Sequence, residues 1–179
     1  MGMVVRETPC ALFCTICYGS RGDPGEARKM LESTLGKTVL HLDPFPFNHT
    51  DYYKKEMGPS LKKTILVFEE LVPPGFLPEI KLLSNSIEER LAFNRKRSVN
   101  LDPGYLDAAR VVLASTRDYS HRLYLSQGIY GEVTLRYNRE AYDPQPWTYP
   151  DYRDEKVLAF FKEARTWYTK RLKSMRGVA

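Results

Sequence analysis

Two successive strand–helix–strand patterns, a later hairpin pattern and a long amphipathic stretch at the C-terminus predict an α+β fold. Hydrophobic residues make up 42% and charged residues 27% of the 179. That is an ordinary globular mix, expected to form one domain over residues 1–179 and to bury a core without disulfide or metal. The first six elements match a split βαβ, ferredoxin-like core. A further helix, a β-hairpin and a C-terminal helix extend it. A plainer mixed α/β sheet is the alternative.

Residues 11–18 form an apolar run between Pro9 and Gly19 and read as the first strand. Asp23-Pro24 supplies a cap and a first helical residue. Ala27, Met30, Leu31 and Leu35 follow at helical spacing, and Gly36 ends the helix. Thr38 to Leu42 is a short strand. Residues 43–59 are expected to be irregular, because Pro44 and Pro46 break regular structure. Lys63 to Leu71 is the next strand, and Pro73-Pro74-Gly75 a break.

Leu77, Ile80, Leu83, Ile87 and Leu91 recur at three- and four-residue steps, the mark of a helix. Lys81, Asn85 and Glu88 share its neighbouring face. Arg97 to Leu101 reads as a strand. Asp102-Pro103 repeats the cap-plus-proline start, so Tyr105 to Ser115 is expected to be helical with Leu106, Ala109 and Leu113 inward. His121–Leu125 and Ile129–Tyr137 make a hairpin across Ser126-Gln127-Gly128. The final helix, 154–175, carries Val157, Phe160, Phe161, Ala164, Trp167 and Tyr168 as its apolar stripe.

The net charge of +5 has one source. Met1 to Tyr152 balances 19 basic against 19 acidic residues, whereas Arg153 to Arg176 holds 8 basic and 3 acidic. A basic terminal helix can attract phosphate or simply solvate its outer face. No apolar run approaches about 18 residues, so no membrane span is expected, and the N-terminus lacks the pattern of a signal peptide.

Cys10, Cys14 and Cys17 stand in a C-x3-C-x2-C spacing, the one by which radical SAM enzymes hold a [4Fe–4S] cluster. On a strand, however, Cys10 and Cys14 share a face and Cys17 points away, so the thiols do not converge. An iron–sulfur cluster is not expected. Buried free thiols fit better and suit a reducing cytoplasm.

Four polar segments are candidates for chemistry. Arg97 and Asn100 precede Asp102 at the expected helix start, where free N–H groups attract anions. The alternative is a capped helix beside a solvated turn. On the hairpin, Tyr130, Glu132 and Thr134 line one face, with Arg122 and Tyr124 across from them. Glu132 there can act as general base or bind a divalent ion, or the row can be a surface laced by cross-strand pairs. The third segment is Thr50-Asp51-Tyr52-Tyr53 with Glu56, in a loop long enough to suggest binding. The fourth is Trp147-Thr148-Tyr149-Pro150-Asp151-Tyr152. The three histidines form no metal-binding string. Asn100-Leu101-Asp102-Pro103-Gly104 resembles a short signature of the GPN-loop GTPases, but the chain has no G-x-x-x-x-G-K-[ST] phosphate loop, which excludes a P-loop GTPase.

Thr50-Asp51-Tyr52-Tyr53, Glu56-Met57-Gly58, Lys81 with Asn85 and Glu88, and Arg97 through Tyr105 together resemble the bacterial domain-of-unknown-function family numbered 4416. The likeness continues through His121–Leu125, Gly128–Leu135 and Trp147–Tyr152. The resemblance implies no activity. It emphasises the same polar-aromatic segments.

The expected function is that of a cytoplasmic protein binding or processing a phosphate-bearing ligand, a nucleotide or RNA. Arg97 and Arg122 would hold phosphate, with Lys81, Asn85 and Asn100 beside them. Tyr52, Tyr53 or Tyr130 would stack on a base. Asp51, Glu56, Asp102 or Glu132 would hold Mg²⁺ or act as base, with Glu132, Asp102 and Glu56 as the catalytic candidates. Tyr124 and Thr134 would complete the ligand wall. The alternative is a non-catalytic module that docks a partner through its basic C-terminal helix. Convergence of the carboxylates with Lys81 and Arg122 in one cleft separates the two.

Overall fold

The structure, a computed structural model, describes residues 2–3, 7–49, 53–175 and 177, and of Lys54 only the backbone. Strand β1 (Cys10–Tyr18), helix α1 (Pro24–Leu35), β2 (Thr38–Pro46), a short α2 (Lys54–Met57) and β3 (Lys62–Val72) come first. Helix α3 (Leu77–Arg90), β4 (Val99–Leu106), β5 (Arg110–Ser115), β6 (Leu123–Ser126), β7 (Ile129–Asn138), β8 (Ala141–Pro144) and α4 (Glu155–Met175) follow.

The strands form one eight-stranded sheet in the order β2-β3-β1-β4-β5-β7-β6, with β8 also beside β7. Every pairing is antiparallel. Helix α1 joins β1 to β2 with β3 between them, and α3 joins β3 to β4 with β1 between them. The order β2-β3-β1-β4 is therefore that of the split βαβ, ferredoxin-like core.

Alternation along β1 builds two cores. Ala11 and Phe13 face Phe160, Phe161 and Ala164 of α4. Leu12, Cys14 and Ile16 face Ala27 and Leu31 of α1 and Ile87 of α3. The sheet is thus covered on both faces, which explains why β1 is buried along nearly its whole length and is apolar but for Thr15. Cys14 and Cys17 lie on opposite faces. Burial pushes the Cys17 thiol up to about 12, as expected of an inert packed thiol.

The capping expectations for α1 hold: Asp23 accepts from the Gly25 and Glu26 N–H groups at 2.9 and 3.0 Å, and Gly36 has φ 88°. Two other expectations do not. The stretch 105–115 is no helix but the end of β4, a tight turn and β5. Asp107 accepts from the N–H groups of Ala109 and Arg110 at 2.7 and 2.9 Å and so makes the turn. Val111 and Val112 are buried on opposite faces of the sheet, and the helical spacing of Leu106, Ala109 and Leu113 is coincidental. Asp102 therefore caps nothing. Likewise β2 continues to Pro46, because it is an edge strand and a register shift after Leu42 accommodates Asp43-Pro44.

Gly104 sits where β4 crosses the Phe13 ring. A Cβ there would lie 2.4 Å from a Phe13 ring carbon and 2.3 Å from the Val112 carbonyl oxygen. Gly104→Ala is expected to destabilise the protein by about 2 kcal/mol, read as a lowered urea midpoint. An unchanged midpoint would contradict this packing. No helix among the described residues is long and apolar enough to cross a membrane.

Candidate functional site

Strands β4 and β5 part company at one end of the sheet. Their pairing runs only from Leu106↔Val111 to Gly104↔Leu113, while β4 stays paired to β1 from Val99 onward and β5 stays paired to β7 as far as Ser115. The gap opens at Pro103, which has no N–H to continue the ladder. Helix α3 fills its back wall. Lys81 Nζ donates to the Leu101 carbonyl at 2.8 Å, and the Leu101 N–H donates to Glu88 Oε1 at 2.6 Å. Two side chains thus stand in for the missing strand, which is why they are buried without leaving the β4 edge unsatisfied.

In front of this gap lies a cleft of about 430 Å³, within the range of small-molecule sites. The starts of β3 and β4, the ends of β1 and β5, and β7 supply its walls. The turn Pro150–Arg153 and the rings of Phe47 and Tyr53 border it. Lys63, Lys81, Arg97, Arg117 and Arg122 line it together with Glu88, Asp102, Glu132 and Asp151.

Most of these charges meet a partner. Lys63 Nζ lies 2.6 Å from Asp151 Oδ2, and both side chains are nearly sealed from solvent at 6% and 4% exposure. Burial works against the charged Lys63 amine, but the Asp151 and Asp102 carboxylates together outweigh it and the net shift is upward. Arg122 Nε donates to Glu132 Oε2 at 2.7 Å, and its other nitrogens reach Ser115 Oγ and the Tyr149 hydroxyl at 2.8 and 3.0 Å. Arg97 Nε donates to Glu56 Oε2 at 2.7 Å and its NH1 to Asn100 Oδ1 at 3.1 Å. Asn100 Nδ2 then donates to Asp102 Oδ2 at 2.7 Å, with Lys81 Nζ 3.4 Å from the other oxygen. Burial pushes the Glu88 carboxyl up to about 7, against the Leu101 N–H and Lys81, which pull it down.

Accessibility separates these groups chemically. The Arg97 and Asp102 side chains keep 30% and 32% exposure, whereas Lys81, Glu88 and Arg122 stay below 10%. Glu132 is consumed: beyond Arg122 it is 3.3 Å from His121 Nε2 and accepts from Thr134 Oγ1. Its place is structural, holding Arg122 in position.

Residues 8–168 match the sequence model of one protein family, described as Domain of unknown function (DUF4416). The chain belongs to the DUF4416 family. No curated protein and no solved structure matches it.

The segments that carry the DUF4416 resemblance come together around the cleft. Tyr53, Lys81, Asn85, Arg97, Asn100, Asp102, Arg122 and Glu132 all line it, although they come from five separate stretches of chain. Glu56 stays outside, at the rim, as the partner of Arg97. Tyr124 and Tyr130 do not reach it. They pack edge to face, ring centroids 5.4 Å apart, toward the free edge of the sheet. Thr134 is fully buried beside Glu132 and so cannot form a ligand wall. Asp51 and Tyr52 lie outside the described residues.

Sequence reasoning passed over Lys63, Ser115 and Arg117 as site residues, and it named Asp151 only within the Trp147–Tyr152 segment, without a role. Glu88 was visible on the Lys81–Asn85 face but not as a cleft group. Among the described residues no cluster of His, Cys, Asp and Glu is placed to hold a metal ion unaided.

Proposed function

We propose that this protein binds, and acts on, a phosphate-bearing small molecule of nucleotide size in the cleft between β4 and β5, within the cytoplasm. The observation that supports this reading is the convergence of Arg97, Lys81, Asp102 and Arg122 from distant segments on one concave site. Its lining holds five Lys and Arg against four Asp and Glu, one of which, Glu88, is half protonated near neutrality. The small positive excess and the accessible guanidinium of Arg97 favour an anion. Tyr149, 47% exposed at the rim, offers a stacking face. Asp102, held by Asn100 and Lys81 but the most exposed carboxylate of the lining, is the one placed to share an Mg²⁺ with ligand phosphates or to take a proton.

Thermal-shift titration with nucleoside mono- and triphosphates, with and without Mg²⁺, tests this reading. Stabilisation is expected for the wild type and is expected to fall about tenfold in affinity for Arg97→Ala. No shift with any phosphate compound would sink it. A short single-stranded RNA that binds far more tightly than every mononucleotide would replace the small ligand by a polymer.

A second reading has one observation in its favour. Lys156, Lys162, Lys170 and Lys173 are exposed along α4, a face on which a module could dock an acidic partner. Binding that survives Arg97→Ala but disappears when these lysines become Gln would favour it.

A further inference from the structure

The β4–β5 ladder ends with one hydrogen bond missing. Asp107 N–H donates to the Arg110 carbonyl at 3.0 Å, and the register then pairs Tyr105 with Val112. By the two-residue alternation of an antiparallel ladder, the main-chain groups of Ala114 turn toward β4, opposite Pro103. The next bond would run from the nitrogen of residue 103 to the Ala114 carbonyl, and proline has no hydrogen there. Ala114 is only 5% exposed and lines the cleft. Its carbonyl is therefore a sheltered acceptor with its ladder donor deleted by sequence.

Two further polar side chains stand on the cleft walls. The Tyr152 hydroxyl belongs to a residue 1% exposed, makes no hydrogen bond of good geometry and has the Thr15 hydroxyl as its polar neighbour. The half-buried Asn85 side-chain amide, between Lys81 and Glu88 on α3, also lines the cleft. Unpaired polar groups inside a cleft are costly unless something entering the cleft engages them. The accessible Arg97, by contrast, is already hydrogen-bonded and lies on the Glu56 side of the cleft, at its mouth.

We infer that the gap beside Pro103 takes the N–H-bearing edge of a nucleobase, donated to the Ala114 carbonyl, while the ligand's phosphate stays at the mouth with Arg97. The inference rests on the cleft being a phosphate-ligand site and adds what the inner end of that ligand must be. The base approaches the Ala114 carbonyl from the cleft, beside the Pro103 ring, whose Cδ stands where an amide hydrogen would be. A purine or pyrimidine ring edge presents N–H donors beside acceptors in one plane, which suits a strand carbonyl in a cleft whose walls also carry the Asn85 amide. A site built to bond an N–H rejects analogues that lack it.

Calorimetric titration of the full chain with AMP, GMP, CMP and UMP, with purine riboside 5′-monophosphate and with ribose 5-phosphate tests the inference. Purine riboside keeps the ring and the phosphate but has no N–H on its base. At least one of the four nucleotides is expected to bind about tenfold more tightly than both purine riboside monophosphate and ribose 5-phosphate. Pro103→Ala restores the missing donor, and is expected to abolish that preference while leaving ribose 5-phosphate affinity unchanged. Equal affinities across the series in the wild type would overturn the base-edge inference and leave the phosphate cleft standing. Binding of none of these compounds would overturn the cleft itself. Because the wild-type series stands alone, the result does not depend on how well Pro103→Ala folds.

Discussion

Asp151→Asn is expected to lower the stability of the protein by about 3–5 kcal/mol, the largest effect of any single polar substitution proposed for this fold. Lys63 Nζ is 2.6 Å from Asp151 Oδ2, and both side chains are almost completely removed from water. Asparagine keeps an acceptor but not the charge, so the Lys63 ammonium is left in a site bounded by the Phe47 and Tyr152 rings, 4.8 and 5.3 Å from its nitrogen. Those ring faces attract the cation but do not replace a carboxylate. Replacing both partners by apolar residues, Lys63→Met with Asp151→Leu, is expected to recover most of the loss, because no unpaired charge then remains. Urea denaturation of Lys63→Met, Asp151→Leu and their double variant gives the coupling. A single-variant loss below about 1 kcal/mol would mean that water reaches the pair. Asp151 lies in the turn Pro150–Arg153 and Lys63 at the start of β3, so the same pair fixes the cleft's border to the sheet.

That pair also shows where sequence reading stops. Lys63 and Asp151 are 88 positions apart, and each alone looks like a solvated surface charge. What the sequence displays well is local: the Asp23-Pro24 start and Gly36 stop of α1, the apolar steps of α3, and the Gln127-Gly128 turn, whose residues have φ 54° and 76°. The Lys81, Asn85 and Glu88 face was visible because it follows helical period, and it does line the cleft. Its purpose was hidden, since α3 caps a strand edge left open by Pro103 in another part of the chain. The mistaken helix at 105–115 has the same origin. Leu106, Ala109 and Leu113 fit a helix equally well until β1 and β7 claim both neighbours of the segment as strand partners. On the hairpin, alternation correctly grouped Tyr130 with Glu132. A register shift opposite Val111 and Val112 then inserts Thr134 as an extra residue, and it turns inward to Glu132 rather than onto a ligand face.

Glu88→Gln is expected to remove a pH dependence rather than a contact. Burial raises the Glu88 carboxyl from 4.5 to about 7, so between those values the folded protein binds a proton that the unfolded chain has released. Stability contributed by this residue is therefore present at low pH and is lost as pH rises through about 7. Glutamine keeps the acceptor for the Leu101 N–H and cannot ionise. The variant and the wild type are expected to match below pH 5. At pH 8 the variant is expected to be the more stable by about 3 kcal/mol, the free energy of a shift of this size. Denaturant midpoints across pH 5–8 measure it, and a wild type that stays the more stable at pH 8 would show that Lys81 and Arg97 gain more from the charged carboxylate than burial takes away. The same substitution bears on binding. A neutral residue 88 leaves the cleft more positive, so wild-type affinity for a phosphate ligand is expected to rise as pH falls from 8 to 6, while Glu88→Gln binds with the low-pH affinity throughout. A parallel pH profile in both proteins would place the titrating group elsewhere, on the ligand phosphate itself.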